Sequence, residues 1–183
     1  GTTPQRVRIL SHNFVVFRDA QGKPAVLSDT CVHRGGSLSG GKCKDDGTVQ
    51  CPYHGWRFNR DGQCTRIPSL GINAKIPTRA RVDAYPVEER YGIVHAFLGD
   101  LPEAERPALY DVAEYEQPGW RPGLVTFNIN AYFERSIENG LDPVHNEFVH
   151  ALQGNIRFKP DRMQVTTGEW SSTVYVQMDP PKK

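Results

Sequence analysis

Short apolar runs separated by turn-forming residues fill the first hundred positions of the chain. The runs at 13–17 and 25–27 flank a Gly- and Pro-containing turn at 19–24, a pattern typical of a β-hairpin. Another turn at 60–62 separates two further runs. The remaining predicted strands are 48–50, 56–59, 63–66, 85–89 and 91–98. This region is therefore predicted to be a small antiparallel β domain.

The pattern changes after residue 99. Prolines and acidic residues interrupt any periodicity between 99 and 123, which is typical of an ordered connection between domains. Beyond it we predict a strand at 124–130, a helix at 131–139 and β-like alternation over 163–178. The second region is therefore expected to mix helix and strand.

Composition and charge narrow the class of protein. The 183 residues are 38% apolar, enough for one packed domain and a piece of a second. A net charge of +1 argues against a nucleic-acid binder or a polybasic membrane binder. No apolar stretch is long enough to span a membrane, and no signal peptide is visible. Cys43 and Cys64 are expected to be ordinary thiols, and this cysteine usage suits the cytoplasm.

Two cysteines and two histidines form the first chemical pattern. Cys31 and His33 make a C-x-H motif, and Cys51 and His54 follow 17 residues later as C-x-x-H. Thiolate suits zinc or an iron–sulfur cluster, and imidazole suits iron, zinc or copper. The four side chains can therefore close a tetrahedral zinc site or hold a two-iron cluster with thiolates on one iron and imidazoles on the other.

The neighbouring residues favour the cluster. Zinc fingers usually group Cys with Cys and His with His, whereas both loops here carry one of each. Gly35, Gly36 and Gly55 stand next to the ligands and allow backbone N–H groups to approach inorganic sulfide. A structural zinc module remains as an alternative.

The run Cys51-Pro52-Tyr53-His54-Gly55-Trp56-Arg57-Phe58 resembles the oxygenase version of the Rieske [2Fe–2S] motif. The resemblance implies that Cys31 and Cys51 ligate the inner iron, and that His33 and His54 ligate the outer iron near the surface. It also implies a mainly β Rieske domain over 1–110, a small antiparallel β-sandwich with two cluster-binding loops.

The motif departs from that of the respiratory-chain Rieske proteins. In those proteins each cluster loop carries an extra cysteine, and the two form a disulfide. Gly36 and Tyr53 occupy these positions here, so the resemblance implies that the disulfide is absent. We expect a reduction potential toward the low end of the Rieske range, roughly −150 mV. Such a potential suits an electron donor to an oxygen-activating iron.

A second chemical pattern lies at 138–150. On a helix, Asp142 and His145 would share a face, and His150 follows five residues later. Two neutral imidazoles and one carboxylate from elsewhere make the facial triad of non-haem Fe(II) oxygenases, which leaves positions open for O₂ and substrate.

Taken together, the chain resembles the α-subunit of Rieske-type non-haem iron oxygenases. The resemblance implies that residues 111–183 begin an α+β catalytic domain in which His145 and His150 bind a mononuclear Fe(II). Asp142 would relay the electron between that iron and a cluster histidine of a neighbouring subunit, so a homotrimer is implied. Asn139 would lie near the iron without ligating it strongly.

The third iron ligand is missing from this pattern. In the family it is an acidic residue far downstream, beyond the reach of this chain. The acids that follow the histidines, Asp161, Glu169 and Asp179, are not expected to replace it. We therefore expect the chain to be a fragment of a longer protein.

The resemblance predicts a terminal oxygenase. NAD(P)H would supply electrons through a separate reductase, with or without a ferredoxin, and O₂ would be used to hydroxylate or oxidatively demethylate a small, aromatic substrate. Monooxygenation and dioxygenation are both open, and neither nucleic acid nor a membrane span is expected. The alternative is a Rieske ferredoxin-like electron carrier with no iron at His145 and His150.

Overall fold

A computed structural model describes residues 3–150, 160–169 and 171–177 of the chain. The chain divides into two compact units, Gly1–Arg121 and Pro122–Lys183. The first unit includes a segment after the predicted domain boundary at 110, because Asp111 is held to the preceding hairpin. Its carboxylate accepts hydrogen bonds from Arg90 at 2.6 Å and from the Tyr91 hydroxyl at 2.8 Å. The boundary itself stays a prediction.

One four-stranded antiparallel sheet is built mainly from the beginning of the chain. Its order is β1-β2-β3-β8. The strands are β1 Gln5–Ile9, β2 His12–Arg18, β3 Pro24–Ser28 and β8 Ala84–Tyr85. The predicted hairpin of β2 and β3 is confirmed, with Val16 opposite Val26.

The second four-stranded sheet carries the cysteine and histidine motifs at its loops. Its order is β4-β5-β6-β7, again antiparallel. The strands are β4 Lys42–Cys43, β5 Val49–Gln50, β6 Arg57–Phe58 and β7 Cys64–Arg66. The C-x-x-H loop joins β5 to β6, and the C-x-H loop lies between β3 and β4.

A separate hairpin follows the two sheets. It consists of β9 Val87–Arg90 and β10 Ile93–Ala96. The predicted strand at 85–89 is divided in the structure, since Tyr85 belongs to β8 and pairs with Val26. Pro86 separates the two pieces and has no N–H to donate to a continuous ladder.

The two four-stranded sheets share one hydrophobic core. Val15 and Leu27 from the first sheet and Val49 and Phe58 from the second are all fully buried at 0% exposure. Full burial of a side chain of this size contributes about 1.5–3 kcal/mol. The predicted mainly β architecture of packed antiparallel sheets is therefore confirmed for this unit, and its core, which includes Cys31 and Cys51, lies directly beneath the two motif loops.

The second unit contains two helices and a β-hairpin in its described residues. These are α1 Phe133–Leu141, α2 His145–Val149, β11 Met163–Thr167 and β12 Ser172–Val176. The helix predicted at 131–139 is confirmed as α1, which begins and ends two residues later than predicted. The end of the predicted β-like stretch, residue 178, lies outside the described residues.

The strand predicted at 124–130 is wrong. Residues 121–129 have no regular secondary structure, and Leu124 and Phe127 are 83% and 77% exposed. An apolar run becomes a strand only where another strand pairs with its backbone, and no strand pairs with this one within the described residues. As for membrane association, every helix in the described part of the chain is too short or too polar to cross a bilayer.

Candidate metal centres

The first motif loop is a closed turn at the end of β3. The Cys31 N–H donates to the Gly36 carbonyl at 2.9 Å, and the Gly35 N–H donates to the Cys31 carbonyl at 2.9 Å. Gly35 has φ +70°, a conformation that is strained for residues with a side chain. The loop therefore depends on glycine at this position to return the chain to the sheet.

The second motif loop repeats this construction between β5 and β6. The Cys51 N–H donates to the Trp56 carbonyl at 2.8 Å, and the Gly55 N–H donates to the Cys51 carbonyl at 3.1 Å. Gly55 has φ +71°. The C-x-H and C-x-x-H spacings are thus two versions of one turn, in which the cysteine stands at the base and the histidine near the tip.

A buried aspartate anchors the first loop. Asp29 is 3% exposed, and its carboxylate accepts hydrogen bonds from the Ser37 hydroxyl at 2.6 Å and from the Ser39 N–H and hydroxyl at 2.6 and 2.9 Å. Arg6 approaches it at 3.7 Å. Asp29 was not predicted as part of the site, although the sequence offered a signal: an acid two positions before the first cysteine and two serines after the loop.

The two thiols form the buried side of the site. Cys31 and Cys51 are each 2% exposed. Burial, together with the neighbouring Cys51 thiol, raises the pKa of Cys31 to about 11, while hydrogen bonds from the backbone N–H groups of His33 and Arg34 act in the opposite direction. A metal bound here would replace the thiol proton, and those N–H groups already face the sulfur that would become negative.

The two imidazoles form the outer side. The ring centroids of His33 and His54 are 4.6 Å apart, and the rings are inclined by 70°. Two imidazoles on one iron, with metal–nitrogen distances of about 2.1 Å, place their centroids about 5 Å apart. Nδ1 of His33 is buried and has no hydrogen-bond partner among the described residues. A bound metal would satisfy this otherwise costly nitrogen.

The position of Gly36 brings the two loops together. A Cβ at Gly36 would lie 3.0 Å from Cys51 Sγ and 3.2 Å from Tyr53 Cβ. A side chain at this position would therefore push the second cysteine away from the first. The close approach that a shared metal group requires depends on the absence of a side chain here.

These donors suit a two-iron cluster better than a single zinc ion. The sulfurs are paired in the interior, and the imidazoles are paired toward the surface, where His54 is exposed. A cluster that holds both thiolates on one iron and both imidazoles on the other has this arrangement.

Aromatic rings flank both histidines. Trp56 stacks on His33 with centroids 4.6 Å apart and an interplanar angle of 6°. Tyr53 stands where the respiratory-chain Rieske proteins carry a disulfide-forming cysteine. The ring centroids of Tyr53 and His54 are 3.9 Å apart. Neither ring contact follows from the spacing of the motifs, because both depend on how the side chains pack in the folded loops.

The other two cysteines are free thiols. Cys43 is half-buried and Cys64 is buried, and burial raises the pKa of both. Cys64 donates a weak hydrogen bond to the Arg66 carbonyl at 3.5 Å. Neither lies in a motif loop, in agreement with the expectation of ordinary thiols.

The second histidine pair brackets helix α2. His145 begins the helix and His150 follows its end, and their ring centroids are 5.1 Å apart. Nδ1 of His145 donates to the Asp142 carbonyl at 2.5 Å, which leaves Nε2 free for a metal. The Asp142 carboxylate accepts from the Val144 N–H at 2.9 Å and lies 3.7 Å from Nδ1 of His145. The pair thus fits two ligand positions of one ion.

A third ligand does not join this pair within the described residues. Asp161 and Glu169 are exposed, and Asp179 lies outside the described residues. The Asn139 carbonyl accepts a backbone hydrogen bond from Asp142 at 3.4 Å, and its side chain is exposed. The roles of Asn139 and Asp142 stay predictions.

Comparison with known proteins supports the same interpretation. The sequence model of the Rieske [2Fe-2S] domain matches residues 1–86. The phenoxybenzoate dioxygenase α-subunit of Ectopseudomonas oleovorans is 37% identical over 169 residues, which cover 85% of this chain and 41% of that protein. The oxygenase subunit of 5,5'-dehydrodivanillate O-demethylase from a Sphingobium strain is 30% identical over 151 residues, 79% of this chain and 34% of the relative.

Solved structures give a similar result. Dicamba monooxygenase bound to 3,6-dichlorosalicylic acid matches with a TM-score of 0.81 and 27% identity, over 94% of this chain and 50% of that one. NdmA of Pseudomonas putida CBB5 matches with a TM-score of 0.70 and 28% identity, over 91% of this chain and 48% of that one. The chain therefore spans about half or less of the length of these proteins.

Proposed function

Since this chain belongs to the family of Rieske-type oxygenase subunits, we propose that it acts within a terminal oxygenase. In this proposal the first unit holds a [2Fe–2S] cluster and the second contributes to a mononuclear iron site. The observation that carries the proposal is the buried Nδ1 of His33, which has no hydrogen-bond partner in the described part of the chain and belongs to the same loop as the buried Cys31 thiol.

The first unit is proposed to receive electrons. Cys31 and Cys51 would hold the inner iron, and His33 and His54 the outer iron of a cluster that accepts and releases one electron at a time. The N–H groups of His33 and Arg34 donate to Cys31 and would stabilise negative charge on its sulfur. Because Gly36 and Tyr53 stand where the respiratory-chain proteins carry the two cysteines of a disulfide, we expect the cluster to have a reduction potential near the low end of the Rieske range, roughly −150 mV.

The second unit is proposed to bind Fe(II) through His145 and His150. The Asp142 carbonyl holds Nδ1–H of His145 and so orients its ring. The third ligand would be a carboxylate from outside the described residues. An Fe(II) bound this way supplies O₂ activation, with positions open for O₂ and substrate. Asp142 is proposed to connect this site to a cluster histidine of a neighbouring copy in a homotrimer.

The substrate is proposed to be a small aromatic compound. Three of the matched relatives are named for phenoxybenzoate, a dehydrodivanillate and dicamba, each of which has an aromatic ring. Hydroxylation or oxidative demethylation would follow, with O₂ as the cosubstrate. Electrons are proposed to come from NAD(P)H through a separate reductase, with or without a ferredoxin.

Metal content measures both sites at once. We would purify the chain anaerobically and determine iron, zinc and acid-labile sulfide per chain. About three irons with about two sulfides would support both sites. About two irons with two sulfides would leave an electron carrier without its own oxygenase site, and zinc without sulfide would overturn the proposal.

Variants assign the metals to residues. Cys51→Ser is expected to remove the two cluster irons and both sulfides, because the inner iron loses a thiolate. His145→Ala with His150→Ala is expected to remove only the third iron. Cys43→Ser is the matched control, since this thiol is free and lies outside both motif loops, and it should leave all three counts unchanged.

A further inference from the structure

Trp56 makes contacts in both motif loops at once. Its carbonyl accepts the hydrogen bond from the Cys51 N–H, at 2.8 Å, that closes the second loop. Its indole stacks on His33 of the first loop, with ring centroids 4.6 Å apart and an interplanar angle of 6°. Aromatic rings at this separation attract one another. The residue that closes one loop therefore also holds a candidate iron ligand of the other loop.

The indole is itself held by the core. Trp56 is half-buried and packs against the hydrophobic core that the two sheets share. Protein interiors are close-packed, so a bulky side chain that packs against a core has few alternative rotamers. The plane of the His33 ring is thus set by a side chain whose own orientation is fixed.

Hydrogen bonding does not orient the His33 ring within the described residues. Metal-binding histidines are usually oriented by a hydrogen bond from the ring, and the bond from His145 to the Asp142 carbonyl is of this kind. The His33 ring makes no such bond to the described part of the chain. Its orientation rests on packing, with the indole parallel to its face and the His54 ring inclined to it by 70°.

The other candidate ligand of the outer iron lacks this support. His54 is exposed, and its aromatic neighbour Tyr53 belongs to the same loop and is 60% exposed. Their rings are inclined by 38°, with centroids 3.9 Å apart. An exposed neighbour in the same loop moves with the histidine and does not tie it to the core. The two imidazoles are therefore held differently, one from the interior and one only by its own loop.

We propose that Trp56 is a positioning residue for the cluster: its indole fixes the orientation of His33 on the outer iron and ties that ligand to the core. The inference rests on the proposed cluster. The indole also keeps water from one face of the imidazole and presents the negative face of its π-system to it. Both effects disfavour the added negative charge of the reduced cluster, so Trp56 lowers the reduction potential.

The stack itself can be measured in the metal-free chain. A parallel indole shifts the ring protons of the imidazole beneath it upfield, and the chain has six histidines to compare. In proton–carbon NMR spectra we expect one histidine with this shift, and Trp56→Leu should return its signal to the range of the others. Trp120→Leu makes the same change at a tryptophan that is 65% exposed, and it should leave the shift in place.

The second test uses the full chain with its cluster. EPR spectra of the reduced cluster report how the histidines are bound, and a redox titration gives the potential. Trp56→Leu is expected to shift the g-values, to favour reduction about threefold and to speed cluster loss to a chelator about tenfold. Trp56→Phe keeps a flat ring over His33, so it should retain the parent g-values and lose the cluster within about twofold of the parent rate. Trp120→Leu should match the parent in all three measurements.

Several outcomes would overturn the inference. One is a metal-free parent without a shifted histidine, and another is a Trp56→Leu variant with the g-values and potential of the parent. Equal changes in Trp56→Leu and Tyr53→Leu would show that the two histidines are held alike. If circular dichroism shows that Trp56→Leu does not fold, Trp56→Met supplies a long apolar side chain without a ring for the same measurements.

Iron and sulfide content separates this inference from the proposed function. A parent chain that takes up neither iron nor sulfide overturns the proposed function and this inference with it, and the NMR shift then shows only a packing role for Trp56. A parent that holds the cluster, beside a Trp56→Leu variant that does not differ from it, overturns the inference alone.

Discussion

The two units of the chain organise their histidines in opposite ways. In the first unit, the motif loops rest on a core of fully buried side chains drawn from two sheets. In the second, none of the residues from 122 to 177 whose exposure is described is buried. Helix α1 shows this directly, since Phe133, Ile137 and Leu141 share one face and are each more than half exposed.

This difference separates a site made by tertiary packing from one made by local backbone. Cys31 and Cys51 are 20 positions apart, and only the packing of the sheets brings their loops together. His145 and His150 approach each other because a single short helix lies between them. Damage to the core should therefore abolish the cluster site and leave the second histidine pair in place.

The largest expected effect comes from truncating the shared core. Phe58→Ala removes a fully buried ring beneath the second motif loop and is expected to cost about 3–5 kcal/mol in the free energy of unfolding. Phe148→Ala, at a position 77% exposed in the second unit, should change it by less than about 0.5 kcal/mol. Urea unfolding followed by circular dichroism measures both, and equal costs would contradict the contrast between the units.

The next effect concerns two aspartates that each precede a candidate metal ligand, Cys31 and His145. Asp29→Ala leaves the hydrogen-bond donors of Ser37 and Ser39 without their buried acceptor, and we expect a loss of about 2–4 kcal/mol. Asp142→Ala removes an exposed carboxylate and should cost less than about 0.5 kcal/mol. Urea unfolding of the metal-free chain measures the free-energy cost of both substitutions. A stable Asp29→Ala variant would show that the first loop does not depend on this anchor.

A smaller effect is expected from pH. Because the folded state raises the pKa of Cys31 to about 11, the folded metal-free chain holds this proton more tightly than the unfolded chain does. The contribution of the protonated Cys31 thiol to the free energy of unfolding is therefore fully present below the ordinary thiol pKa of about 9. It is lost as the pH rises toward 11, by an amount on the order of 2 kcal/mol. Urea midpoints at pH 8 and 10.5 measure the loss. Cys31→Ala should reduce it, and an unchanged pH dependence in that variant would assign the loss to other groups.

The smallest effect compares one substitution at two glycines. Gly36→Ala places a methyl group 3.0 Å from Cys51 Sγ and should cost about 1–2 kcal/mol. Gly140→Ala lies in α1 with nothing within 4 Å and should stabilise the helix by about 0.5–1 kcal/mol. The two free energies of unfolding should therefore change in opposite directions. The iron content of Gly36→Ala should also fall, and full cluster loading would show that the loops tolerate a side chain there.

Much of the first unit could be predicted because its signals are local. Turn residues at 19–24 and 60–62 mark hairpins in any context, and the strands on either side of them formed where expected. The apolar run at 124–130 shows the limit. Its composition suits a strand, but a strand needs a partner for its backbone, and that partner is a tertiary property.

The candidate site shows the same division. The chemistry of Cys31, His33, Cys51 and His54 follows from residue type and spacing, which limit the donors to those of an iron–sulfur or zinc site. The buried acceptor Asp29 and the ring contacts of Trp56 and Tyr53 do not follow from spacing. They arise where side chains distant in sequence meet, and no local pattern encodes those meetings.

By itself, the sequence determined the donor types, the glycine-bearing loops and the helix that precedes the second pair of histidines, because each depends on residues a few positions apart. Only the tertiary structure decided that the thiols lie inside and the imidazoles outside, and that His33 and Trp56 line one mainly apolar depression. The reason is physical: burial, pKa and surface charge are set by what surrounds a group in space. Those surroundings come from both sheets.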